Sequence, residues 1–146
     1  MTLGGLIDLF LAEQRTECQL LDAARVRAQG VAAAHFYAGY GHFNVLGYAP
    51  TGPSDQPLTG DSVGQPIAPV PFSELALSTV VTPSDWAVVR PLFLLYCERE
   101  QALMLEASRV MGVDVFGRAS SEVQQDINTA EADLPLKAFI QPVFSV

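Results

Sequence analysis

The amino-acid sequence predicts a mainly α protein: a small helical bundle with a long proline/glycine-rich extended arm and an extended C-terminal tail. Three observations predict it. Residues 3 to 38 are dominated by Leu, Ala, Glu, Gln and Arg and contain no proline, a composition that favours helix. Residues 83 to 134 hold a capped start, a long apolar run and a second helical stretch. Between them, residues 39 to 71 carry six glycines and six prolines in 33 positions, a share above that of low-complexity sequence. With 146 residues the chain predicts one domain, 1–146, divided into helical 3–38, extended arm 39–81, helical 83–134 and tail 135–146.

In the first stretch Leu3, Ile7 and Phe10 form an apolar stripe, which Leu21, Ala24, Ala28 and Val31 continue. Residues 12 to 19 between them are mostly polar. This pattern fits one long helix with a solvated middle, or a short helix followed by a second. Ala32, Ala33 and Ala34 permit close packing, and Gly39 and Gly41 stop the helix.

In Ala49-Pro50, Gly52-Pro53, Gln56-Pro57 and Gln65-Pro66 the residue before proline is biased to extended backbone. The arm also carries apolar side chains, among them Tyr48, Leu58, Ile67 and Phe72. A stretch of this length without regular structure is unusual inside a compact domain. It reads as an arm that gains order by lying on a neighbour through those four residues; a floppy surface loop is the plain alternative. Residues 75 to 81 end in β-branched side chains and predict a short β-strand or hairpin.

Thr82-Pro83-Ser84-Asp85-Trp86 is the clearest local signal. Thr82 serves as N-cap, Pro83 occupies the first helical position, and Asp85 stands at capping-box spacing on the positive end of the helix dipole. The helix that follows runs to about Met111, with Gly112 as its stop and Pro91 kinking or dividing it. Its middle is apolar nearly all round, which marks a central core helix. Glu98, Glu100, Glu106 and Arg109 form its wet side, with Glu106 and Arg109 at ion-pair spacing. Ser120 or Ser121 caps a last helix over 121 to 133, with Gln124 completing the box from Ser121. Val123, Ile127 and Leu134 face inward, and Pro135 ends it. The tail is apolar at Phe139, Ile140, Val143, Phe144 and Val146, which predicts a docked rather than a fraying segment.

Charged residues are only 16% of the chain, against about 25% in typical proteins. A surface so poor in charge suggests cover by other copies. Sixteen acidic against eight basic residues give a net charge of −8, and no Lys or Arg occurs between Arg27 and Arg90. Gripping nucleic acid or anionic lipid is therefore disfavoured. The apolar start lacks the basic region of a signal peptide, and no stretch is long enough to span a membrane. Cys18 and Cys97 read as small buried hydrophobes; whether they pair is not legible in the sequence.

No catalytic, metal or cofactor set emerges. His35 and His42 stand seven apart, which fits no ligand motif, and no Gly-x-Ser-x-Gly elbow accompanies them. The glycines at 39, 41 and 47 do not bridge a strand to a helix, so a phosphate loop is unsupported. Phe36, Tyr37, Tyr40, Phe43 and Tyr48 form an aromatic cluster of the kind that anchors interfaces. The chain is expected to be no enzyme, to bind no cofactor, and to be an assembly component.

The stretch 82 to 146 resembles tailed-bacteriophage head-to-tail adaptors (head completion or connector proteins). The likeness lies in Thr82-Pro83-Ser84-Asp85-Trp86, Arg90-Pro91-Leu92-Phe93, Glu98-Arg99-Glu100, Leu105-Glu106-Ala107-Ser108-Arg109, Gly117-Arg118, Ser121-Glu122-Val123 and Ala138-Phe139. It covers less than half of the chain. The resemblance implies a structural virion protein of the neck region, made in the host bacterial cytoplasm. Such a protein forms a ring, generally dodecameric, between the portal and the downstream neck or tail protein. Phe139, Ile140, Val143, Phe144 and Val146 would dock on the portal. Arg99, Arg109 and Arg118 would pair with carboxylates such as Glu98 and Glu106 across subunits. An acidic channel would let viral DNA slide past without binding. Two other readings stand beside it: a tail-assembly or scaffolding factor absent from the mature particle, and a small helical ligand-binding protein.

Overall fold

The computed structural model describes residues 1–13, 20–41, 43, 74–110, 112 and 117–139. Over these the chain is mainly helical, with α1 at Leu3–Glu13, α2 at Ala23–Ala38, α3 at Pro83–Val110 and α4 at Ser120–Phe139. The first stretch is therefore two helices. Asp22 separates them: its backbone is extended (φ −71°, ψ 157°), and its carboxylate accepts the Arg25 N–H at 2.7 Å. A residue in that conformation caps a helix and cannot lie within one.

α1 buries Leu3, Ile7 and Phe10, the expected stripe. α2 buries Val26, Gly30, Ala33, Ala34 and Tyr37 instead of a face through Ala24 and Ala28, which are exposed. Alanine carries too little apolar area to decide a face; Val26 and Tyr37 bury more. Gly30 lets α1 and α2 close on each other, since a Cβ there would stand 2.3 Å from Ile7 Cδ1.

Residues 75 to 81 form no strand. A single antiparallel bridge joins Thr2 and Val80. Around it Leu3 donates to the Thr79 carbonyl and Val81 to that of Met1 (2.8 and 2.9 Å). Pairing goes no further because the segment turns on itself. Thr79 N–H donates to the Ala76 carbonyl, and the Thr79 hydroxyl accepts from Ala76 N–H, each at 3.0 Å. The tip of that turn donates no strand, but the Leu77 carbonyl still receives Gly4 N–H at 2.8 Å.

α3 starts as its sequence predicts. Asp85 N–H donates to Thr82 Oγ1 at 3.2 Å, and Thr82 N–H to Asp85 Oδ2 at 3.3 Å. Pro91 does not divide the helix. It sits on the exposed side, while Val89, Leu92, Phe93, Tyr96 and Cys97 bury the other face; that packing outweighs one missing hydrogen bond. Gly112, at φ 87°, follows the helix end and donates to the Arg109 carbonyl at 2.9 Å.

α3 packs against both α2 and α4. Arg25 lies by Met104 and Tyr37 by Asp85, so α2 runs antiparallel to α3. Glu106 meets Ser120 and Tyr96 meets Glu131, so α4 is antiparallel to α3 as well. The carboxyl ends of α2 and α4 thus share one end of the bundle.

α4 differs from its expected form at both ends. Neither Ser120 nor Ser121 caps it by its own side chain. The Glu106 carboxylate of α3 takes the Ser120 N–H and hydroxyl, at 2.7 and 2.8 Å. Gln124 completes no capping box; its amide donates to Asn128 at 2.9 Å. Pro135 does not stop the helix, which continues to Phe139. Leu134 is buried just before the proline and Ala138 packs on the core just after it, so apolar contact on both sides holds the helix through the break. Residues 135 to 139, expected in the tail, thus belong to α4.

Candidate functional site

Two places collect the residues singled out in the sequence: a polar seam between α3 and α4, and a groove between α2 and α3.

The seam is built from charges that the resemblance assigned to subunit contacts. Here they meet within one chain. Arg118 pairs with Glu98 at 3.2 Å and with Asp126, and both contacts hold its guanidinium more firmly charged, Asp126 first. Arg99 reaches Glu100 at 3.7 Å and donates to Gln124 Oε1 at 3.4 Å. Its guanidinium also stands 5.7 Å from the Tyr96 ring centre, within cation–π range. Tyr96 donates to Glu131 Oε1 at 2.6 Å. Burial first, then this bond to a carboxylate, pushes the Tyr96 hydroxyl far above its ordinary value. Glu131 was not legible as a partner, because its bond with Tyr96 crosses from α3 to α4, while Asp126 is reached by Arg118 from just before the start of α4.

Glu106 is held below its ordinary carboxyl pKa of 4.5, first by the Ser120 N–H and then by the Ser120 hydroxyl; the Arg109 charge adds to this. A carboxyl whose folded pKa lies below its unfolded one stabilises the fold above the unfolded value. That contribution drains away as pH falls through 4.5 toward the folded value. Glu106→Gln is therefore expected to lower the melting temperature at neutral pH, and to lower it by less at an acidic pH below 4.5. Thermal melts of both chains across that range check it; an equal loss at both pH values would mean that the charge is not what matters.

The groove splits the predicted aromatic cluster. Phe36 and Tyr40 (ring centres 5.5 Å apart) line it with Ala32, His35, Gly39 and Tyr96. Its volume is about 480 Å³ and it is wide open to solvent. Tyr37 and Phe43 turn the other way into the core, 4.9 Å apart. The hydroxyl of Tyr37 donates to the buried Asp85 at 3.0 Å. Tyr96 as a lining residue was missed, since it comes from a helix 56 residues further along the chain than Tyr40.

Several expected site residues lie outside the described residues: Tyr48, Leu58, Ile67 and Phe72 of the arm, Ile140, Val143, Phe144 and Val146 of the tail, and also Cys18 and His42. Phe139 is the last residue of α4. Cys97 is buried in the core. Among the described residues, no group of three or more His, Cys, Asp and Glu is placed to hold a metal ion. No helix among them is long and apolar enough to cross a membrane. No family model, no curated protein and no solved structure matches the chain.

Proposed function

We propose that this chain is a structural virion protein, a head-to-tail adaptor. In this reading it forms a ring between the portal and the downstream neck or tail protein. The resemblance of residues 82 to 146 supports the reading, and one observation carries it further. The quoted residues Thr82, Asp85, Glu98, Arg118 and Glu106 make the α3 cap and the α3–α4 seam. The likeness thus falls on residues of the helical framework. Around that frame Leu103 of α3 and Leu136 of α4 stay exposed, on a surface already short of charge. Apolar side chains so placed suit contact with further subunits. The acidic balance of −8 suits a wall along which DNA slides without sticking.

The test is peptide mass spectrometry on salt-washed virus particles from a strain carrying the gene, quantified against the major capsid protein. The adaptor reading expects the chain in the particle at a copy number close to that of the portal. Its absence would sink that reading and favour a tail-assembly or scaffolding factor. The α2–α3 groove favours one other reading, a ligand-binding protein, for which native mass spectrometry would find a small molecule retained on a monomer.

A further inference from the structure

We draw no further inference here: the strongest candidate, the open aromatic groove between α2 and α3 lined by Phe36, Tyr40 and Tyr96, is an unpartnered apolar surface, and nothing among the described residues shows what covers it.

Discussion

Phe93→Ala is expected to destabilise the chain by about 3–5 kcal/mol. The Phe93 side chain is fully buried at the middle of α3. Its ring meets Phe10 of α1 edge-on, with centres 5.2 Å apart and planes at 80°, the geometry that ring quadrupoles favour. Trp86, two turns earlier on α3, lies 5.7 Å away on another side. Gly30 of α2 approaches from a third, since a Cβ there would stand 3.7 Å from the ring. One side chain thus joins three helices, and α1 has no other aromatic to replace it. Truncation removes the transfer energy of the ring and leaves a cavity that three anchored neighbours cannot close. Urea unfolding checks it: the midpoint should fall with the slope unchanged. A loss below about 2 kcal/mol would mean that α1 collapses into the space and is not fixed independently.

The helices were legible because their signals are local. Thr82-Pro83 and Asp85 specify the start of α3 with groups three residues apart, and Gly112 marks its end by a backbone conformation that glycine tolerates. What failed was any inference in which a local rule met a distant contact. Pro135 should stop a lone helix, but Leu134 and Ala138 are held by the core on either side of it. Ser120 should cap α4, but a carboxylate fourteen residues earlier does so first. Ala24 and Ala28 extended an apolar period, yet the larger side chains one to two positions away took the buried face.

The candidate site was legible in part for the same reason. The aromatics after residue 35 were visible as a cluster, since composition alone shows them. Their division was not visible. A helix sends residues 36 and 37 to different faces, and the Tyr37–Asp85 bond tells which face is core. Arg118 and Glu98 were visible as charges, but whether they meet in one chain or across two depends on the antiparallel packing of α3 and α4.

Asp85→Ala is expected to cost about 2–4 kcal/mol, the sum of a lost cap of about 1 kcal/mol and of the lost bond from the buried Tyr37 hydroxyl, about 1–3 kcal/mol. Asp85 is buried, and its carboxylate draws together the start of α3 and the end of α2. It accepts from Thr82 Oγ1 at 2.7 Å, from Thr82 N–H at 3.3 Å and from Tyr37 at 3.0 Å. Through the last of these the start of α3 is tied to the end of α2. The Tyr37 ring also meets Phe43 and stands where a Cβ on Gly41 would fall 2.7 Å from it. It therefore packs against both Gly41 and Phe43 beyond the end of α2. Tyr37→Phe alone removes a hydrogen bond to a charged group, about 1.5–3 kcal/mol. In the Asp85→Ala background that same change should cost much less, because the hydroxyl has already lost its acceptor. A double-mutant cycle by urea unfolding measures the difference. Strict additivity would show that the cap and the α2 tie act separately, and that Asp85 is a helix cap and nothing more.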